Sequence, residues 1–165
     1  MAEEKKLNSK VLVTYFSRTG EQYGVENISE GNTAIIAKMI AEKTGGDLFE
    51  IKVINDEYPN KYNDLVEYAK KEKQNNARPG IIGKVDNFAD YDTVFIGYPN
   101  WWGDMPMPVY TFMESYDFSG KKVHHFCTHE GSGGVKRDGF AIYGHIAQNN
   151  KSEAESKVAE WLKIL

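Results

Sequence analysis

The sequence predicts an α/β fold in which helices cover both faces of a parallel β-sheet. Strand and helix patterns alternate from Val11 onward, and several strands are short apolar runs of the kind that is buried on both faces. Three of these strands end in loops rich in polar, glycine or aromatic residues. Because the carboxyl ends of parallel strands lie at one edge, where ligands bind, the three loops are expected to form one site.

Length and composition set the broad class. A chain of 165 residues is long enough for one domain, expected over residues 1–165 with a flexible segment at 1–9. A formal charge of −4 gives no sign of the basic surface that nucleic-acid binding requires. The charged N-terminus does not resemble a secretion signal, and no apolar run is long enough to span a membrane. We therefore expect a cytoplasmic protein with no nucleic acid or membrane as partner.

The first half of the chain contains two strands and two helices. Lys10–Phe16 is a continuous apolar run typical of a buried strand. A periodic apolar stretch that begins near Asn32 and ends at Gly45 predicts a helix, since glycine often follows a helix C-terminus. Leu48–Val53 alternates as a strand does, and Tyr62–Gln74 has the pattern of an exposed, charged helix.

The second half continues the alternation. Val94–Tyr98 and Lys122–Cys127 are predicted strands, and Met107–Ser115 is a helix whose first turn tolerates proline. Ser152–Leu165 has one apolar stripe and predicts an amphipathic terminal helix. Phe140–Ile146 is a candidate fifth strand of the sheet.

The connection before this fifth strand is unusually short. Only ten residues, His129–Asp138, separate Thr128 from Gly139, whereas a parallel crossover with a helix needs roughly a dozen or more. No ordinary helix fits there. The sequence leaves three alternatives: an antiparallel fifth strand, a strand paired in another chain, or no sheet strand at all.

The first loop favours a phosphate. Ser17-Arg18-Thr19-Gly20 follows the first strand, and Asn32-Thr33 opens the next helix. Backbone N–H groups and the helix dipole make such a turn an anion site, to which hydroxyl and amide side chains add donors. The segment Glu21–Glu30 splits this site into two pieces. The alternative is a surface loop in which Asn32 caps the helix.

The second and third loops favour a flat ring. Trp101 and Trp102 offer aromatic faces for stacking, and this is the preferred interpretation; the alternative is that the indoles fill the core. The loop Thr128–Gly133 offers backbone N–H groups to ring carbonyls, or else it is a flexible turn. A catalytic role for His129 with Glu130 is the weaker interpretation. The four histidines lack a metal-ligand spacing, so neither a metal site nor a catalytic residue is assigned.

Together these features point to a flavin nucleotide and to electron transfer. The chain resembles the flavodoxin family, in the branch with Tyr-Phe-Ser-Arg-Thr-Gly at the first loop and Gly-Tyr-Pro-x-Trp-Trp-Gly at the third strand. These motifs stand at Tyr15–Gly20 and Gly97–Gly103, and the resemblance covers most of residues 10–133 and 139–165. It implies a flavodoxin-like, doubly wound sheet with strand order 2-1-3-4-5.

The resemblance also implies a cofactor, FMN, bound without a covalent bond and carrying one or two electrons. Its cofactor-binding residues lie in all three loops. The phosphate loop contributes Ser17, Arg18, Thr19, Gly20, Asn32 and Thr33. The two sides of the ring are flanked by Pro99, Asn100, Trp101, Trp102 and Gly103, and by Thr128, Glu130, Gly131, Ser132 and Gly133. The expected partner is a redox protein or a small-molecule electron acceptor.

One departure from the family opens alternatives. The family has a helix between strands four and five, and this chain lacks it. The sheet face near strand four is then under-covered, which favours a homodimer through that face or through strand exchange. Other functions compatible with the sequence are a flavin-free interaction module, an NAD(P)H-dependent quinone or nitro reductase, and a domain that binds phosphate esters through the first loop alone.

Overall fold

The computed structural model describes residues 10–22, 26–134 and 139–165. The segment 1–9, for which flexibility is predicted, lies outside the described residues. The described strands are β1 (Val11–Tyr15), β2 (Gly20–Gln22), β3 (Glu26–Ile28), β4 (Asp47–Glu50), β5 (Thr93–Pro99), β6 (Lys122–His129) and β7 (Phe140–Tyr143). The described helices are α1 (Asn32–Thr44), α2 (Tyr62–Gln74), α3 (Met107–Glu114), α4 (Gly144–Asn149) and α5 (Lys151–Lys163), with a short 3₁₀ turn at Phe88–Asp90.

Five of these strands form one parallel sheet in the order β4-β1-β5-β6-β7. Counting only the strands of this sheet, the order is 2-1-3-4-5, which confirms the predicted topology. The predicted first, third and fourth strands and the predicted helices also lie where expected, and Tyr62–Gln74 has the predicted bounds. The sheet therefore brings the ends of β1, β5 and β6 side by side.

The connection from β6 to β7 differs from the prediction. It contains ten residues, 130–139, and its described part contains no helix. β7 nevertheless pairs parallel with β6 in the same chain, so the antiparallel strand, the strand paired in another chain and the absence of a sheet strand are all wrong.

The register explains why so short a connection is sufficient. His129 lies opposite Tyr143, and Phe126 lies opposite Phe140. The chain therefore returns by only three residues of strand, about 10 Å, and steps across one strand spacing of about 4.8 Å. Ten extended residues span about 33 Å. The expected length of a dozen or more applies when the crossover must also hold a helix.

Two further elements were missed by the sequence analysis. The antiparallel pair β2–β3 lies in the insertion Glu21–Glu30 together with the preceding Gly20, which is opposite Ile28. The predicted strand Phe140–Ile146 ends at Tyr143, where the chain turns into α4. The under-covered face predicted near strand four is not seen at its carboxyl half, since Phe126, Cys127 and Thr128 of β6 are buried. The exposed side chains lie on the fifth strand of the sheet, where Tyr143 is 41% exposed and Ala141 is also exposed.

The core consists of two apolar clusters, one on each face of the sheet. On the first face, Phe95, Phe126 and Trp161 pack with α1 and α5. On the second face, Leu12, Ile96 and Phe112 pack with residues of α2 and α3. Helix α1 ends at Gly45, whose φ of +73° allows the turn that closes the helix. Among the described residues, no helix is long and apolar enough to cross a membrane.

Close packing between β5 and β6 leaves no room for a side chain at residue 97. Gly97 lies opposite Phe126, and a Cβ atom there would approach two atoms of the buried phenyl ring to 2.1 Å. Replacing Gly97 by alanine is therefore expected to lower the free energy of unfolding by about 1–3 kcal/mol, because a packed core resists added atoms.

Chemical denaturation measures this loss, and Gly80→Ala is the matched control. At residue 80 a Cβ atom would approach only the exposed side chain of Ile54, whose terminal methyl would be 3.1 Å away. An unchanged denaturation midpoint for Gly97→Ala would contradict the packing described for this pair of strands.

Candidate functional site

A cavity of about 380 Å³ opens at the carboxyl edge of the sheet, and we call it the edge cavity. The loops after β5 and β6, the first residue of α1 and one face of α2 surround it. Its lining residues are Asn32, Tyr62, Leu65, Val66, Ala69, Pro99, Asn100, Trp101, Trp102, Gly103, Thr128, His129, Glu130 and Ser132. The volume lies in the range of about 300–1,000 Å³ that small-molecule sites occupy.

The side chain of Asn100 joins the second loop to the third. Its Nδ2 donates to the carbonyl of Gly133 at 2.7 Å, and its Oδ1 accepts from the N–H of Gly103 at 2.8 Å. The N–H of Asn100 itself donates to the carbonyl of Thr128 at 3.0 Å. The side-chain amide and the backbone N–H of Asn100 thus hold the second and third loops together beside the edge cavity.

Trp102 is attached to helix α2 rather than to its own loop. Its φ is +58°, an uncommon value for a bulky residue. The indole Nε1 donates to the carbonyl of Val66 at 2.9 Å, and Lys73 Nζ donates to the carbonyl of Trp102 at 2.6 Å. The ammonium of Lys70 lies 5.3 Å from the ring centroid. These contacts hold the half-exposed indole at the cavity wall.

Trp101 belongs to an aromatic cluster behind the cavity. Its ring meets Phe16 and Tyr58 edge to face, with centroids at 5.2 Å and 5.4 Å. The Tyr58 hydroxyl donates to a carboxylate oxygen of Glu72 at 2.6 Å. Burial raises the pKa of the Glu72 carboxyl, although this hydrogen bond opposes the shift. The pKa of the Tyr58 hydroxyl is also raised, mainly by burial and secondly by the hydrogen bond to Glu72. Trp101 therefore serves both predicted purposes, as core and as cavity wall.

Glu130 joins the third loop to helix α4. Its carboxylate accepts from the backbone N–H of His145, and its second oxygen lies 2.7 Å from His145 Nδ1. Gly144 allows this close approach, since a Cβ atom there would come within 2.9 Å of Glu130 Oε1 and 2.2 Å of Asn32 Nδ2. Glu130 and Asn32 thus meet at one side of the edge cavity.

The first loop contacts the start of α1 closely. Ser17 Oγ accepts from the N–H of Ala34 at 3.1 Å and lies so near Gly31 that a Cβ atom there would be 1.9 Å away. Thr33 is buried, and its hydroxyl lies 2.8 Å from that of Thr128 at the end of β6. Ser17 and Thr33 therefore position the helix N-terminus at the sheet edge, where a negative group is favoured.

Arg18 faces away from the edge cavity. Its guanidinium forms an ion pair with Asp56 at 2.9 Å and lies 5.2 Å from the centroid of the Tyr58 ring. Thr19 and Gly20, which follow it, line a second cavity beside the β2–β3 hairpin. In this structure the Arg18 guanidinium supports the segment at residues 56–58.

The structure brings nine of the sequence-predicted site residues into one cavity. They are Asn32, Pro99, Asn100, Trp101, Trp102, Gly103, Thr128, Glu130 and Ser132. Gly131 and Gly133 lie in the third loop, at φ of +106° and +75°, but do not line the cavity. Ser17 and Thr33 are also not among its lining residues.

The wall formed by α2 was missed by the sequence analysis. Tyr62, Leu65, Val66 and Ala69 lie on a helix whose charge predicts full exposure, yet Leu65 and Ala69 are buried. Their spacing of four is the signal that was available. His129 also lines the cavity, and its Nδ1 accepts from the N–H of Gly131 at 3.0 Å.

Comparison with solved structures finds proteins of the same fold. A candidate flavoprotein from Bacteroides eggerthii is 28% identical, with 95% of this chain and 98% of that chain covered and a TM-score of 0.72. A second from Bacteroides uniformis is 27% identical, with 94% and 99% covered and a TM-score of 0.70. A flavoprotein from Lactobacillus acidophilus, in complex with FMN, is 22% identical, with 93% and 99% covered and a TM-score of 0.63.

Family assignment rests on nearly the whole chain. A search of curated proteins returned no match. The model of the family described as Flavodoxin matches residues 10–163, which include every strand and helix of the sheet layers and all three loops. The chain belongs to the flavodoxin family.

Proposed function

We propose that this protein binds FMN without a covalent bond in the edge cavity and transfers one or two electrons through it. The observation that carries the proposal is the edge cavity itself. Two tryptophans, a polar loop and the N-terminus of a 13-residue helix converge there, at the carboxyl edge of a doubly wound sheet. This is where such sheets bind nucleotides.

The residues present fit a flavin nucleotide in two respects. Among the described residues, Asn32 Oδ1 is buried with no hydrogen-bond partner, so a ligand with a hydroxyl or N–H group would satisfy a polar atom that is otherwise costly to bury. Gly103 lines the cavity at a φ of +74°, with no atom within 4 Å of where its Cβ would lie, so its backbone is open to close approach by a ring.

Each part of the site has a distinct role in this proposal. The start of α1, held by Ser17 and Thr33, would bind the phosphate, and Trp101 and Trp102 would pack against the isoalloxazine and exclude water from it. Asn100 holds the opposing loop at a fixed distance. FMN supplies the electron-transfer chemistry when bound, and the protein tunes it. The carboxylate of Glu130 would place negative charge beside the ring.

Relatives support the same proposal. The Lactobacillus acidophilus flavoprotein shares this fold and forms a complex with FMN. The electron acceptor is proposed to be a redox protein or a small molecule that reaches the open side of the cavity.

An absorbance spectrum of the purified protein tests the proposal. We expect flavin bands that remain with the protein after FMN is added and the excess is removed by gel filtration. A protein that elutes without colour after this treatment would contradict the proposal.

Replacing Trp102 by leucine is expected to weaken FMN binding by about threefold to tenfold, because aromatic stacking contributes about 0.5–1.5 kcal/mol beyond area burial. Trp102→Phe keeps an aromatic ring of smaller area and removes the Nε1 donor to Val66. Quenching of FMN fluorescence measures both affinities. If the leucine variant binds no more weakly than the phenylalanine variant, stacking by Trp102 does not contribute.

Replacing Asn32 by aspartate is expected to weaken FMN binding roughly tenfold, because a carboxylate beside Glu130 and the phosphate adds about 1.4 kcal/mol of repulsion. Riboflavin, which lacks the phosphate, is the matched control ligand and is expected to lose less. An acidic residue in the first turn of α1 favours the helix, but its repulsion with Glu130 opposes the folded state, so thermal unfolding of the variant is measured alongside the binding. Equal losses for both flavins would place the phosphate elsewhere.

A further inference from the structure

Two side chains that can carry a proton connect the edge cavity with the solvent. Glu130 lines the edge cavity, and His145 is the second residue of α4. The side chain of Glu130 is 13% exposed, whereas that of His145 is 48% exposed. Glu130 therefore meets the cavity and His145 meets the solvent.

The contact between these two side chains allows a proton to pass. Oε2 of Glu130 lies 2.7 Å from Nδ1 of His145. The oxygens of an ionised carboxylate only accept, so the neutral imidazole then carries its proton on Nδ1. A protonated carboxyl would instead donate its O–H to the bare Nδ1. Because both arrangements join the same two atoms, a proton can move between Nδ1 and Oε2 within one hydrogen bond.

The fold holds this pair in position. The second carboxylate oxygen of Glu130 accepts from the backbone N–H of His145, and the lack of a Cβ atom at Gly144 leaves room for it. The His145 ring also packs against Tyr143 at a centroid distance of 5.0 Å, and Tyr143 packs against His129 at 4.7 Å. Within the described part of the chain, Glu130 and Tyr143 are the titratable side chains that contact His145. The imidazole is thus oriented as a general acid or base is in an active site.

We infer that Glu130 and His145 form a proton relay, which carries a proton from the solvent to the flavin in the edge cavity when the flavin is reduced. The inference rests on the proposed function, which places Glu130 beside the ring. An electron from an external donor, a reduced redox protein or a reduced small molecule, makes the flavin negative. Repulsion between this charge and the Glu130 carboxylate favours the arrival of a proton.

The relay transfers one proton for each negative charge that it neutralises. His145 accepts a proton from water at Nε2, and its Nδ1 proton passes to Oε2 of Glu130. The O–H bond of Glu130 then breaks as the reduced flavin takes the proton, so the flavin has gained one electron and one proton. Glu130 is ionised again, and the half-exposed imidazole regains its Nδ1 proton by exchange with water.

The tautomer of His145 in the full chain without flavin is the first test. NMR of the ring nitrogens is expected to show the neutral imidazole protonated on Nδ1, because the Glu130 carboxylate accepts there. In Glu130→Ala this preference is expected to be lost. A wild-type ring that is protonated on Nε2 alone would overturn the inference and leave the proposed function standing.

The rate at which the bound flavin takes up its proton is the second test. It is followed by flavin absorbance after flash reduction of the protein at saturating FMN. His145→Ala and Glu130→Gln are each expected to slow this step by about tenfold or more, since general acid catalysis contributes about 10²–10⁴-fold. Glu130→Gln keeps an oxygen that accepts the His145 N–H but cannot carry the proton. Tyr143→Phe keeps the ring beside His145 and is the matched control, with no change expected.

Added imidazole separates proton transfer from a structural role of the pair. Imidazole is expected to restore the rate in His145→Ala, whose position is open to solvent, but not in Glu130→Gln. Unchanged rates in both variants, or slowing in both without rescue, would overturn the inference, and the second result would mean that the pair only joins the third loop to α4. Equal rescue of both variants would overturn it as well, because the proton would not pass through Glu130. Failure of the wild type to bind FMN would overturn the proposed function itself.

Discussion

The hydrogen bonds of the Asn100 amide determine the arrangement of the edge cavity. The second and third loops leave the sheet side by side, since Pro99 lies opposite Thr128. Asn100 contacts Gly103 within its own loop and Gly133 in the next one, while its backbone reaches Thr128. The Asn100 side chain thereby links the second and third loops, which together line one side of the edge cavity.

Behind that wall, packing continues through aromatic rings to the far side of α2. Trp101 contacts Tyr58, Tyr58 contacts Tyr68 at a centroid distance of 5.0 Å, and the Tyr58 hydroxyl is bound by Glu72. Such edge-to-face pairs are worth about 0.5–1.5 kcal/mol each beyond burial. The ring-lined side of the cavity is thus a continuation of the core, whereas the opposite side, formed by the third loop, depends on hydrogen bonds.

Much of this architecture is readable from the sequence, because burial on both faces produces continuous apolar strands such as Val94–Tyr98. The strand order and the meeting of the second and third loops follow from that pattern together with the family motifs, whereas Arg18, Thr19 and Gly20 of the first loop lie outside the edge cavity. The cavity wall at Leu65 and Ala69 was not foreseen, because the high charge of the helix was taken to mean full exposure although these two residues lie four positions apart on one face. The path to β7 was misjudged for a different reason. The expected length of a parallel crossover assumes that it contains a helix, and the register of β7 against β6, which shortens the path, cannot be read from the sequence.

The conformation of Trp102 has a consequence for the independence of its loop. A left-handed backbone at a bulky residue costs about 1–2 kcal/mol, and the bond to the Val66 carbonyl comes from another element of the fold. The segment Pro99–Asp104 is therefore not a portable unit. Grafted onto another sheet without α2, it would carry the unfavourable backbone and lose the partner that maintains it, so the smallest transferable piece of this wall is the loop together with its helix.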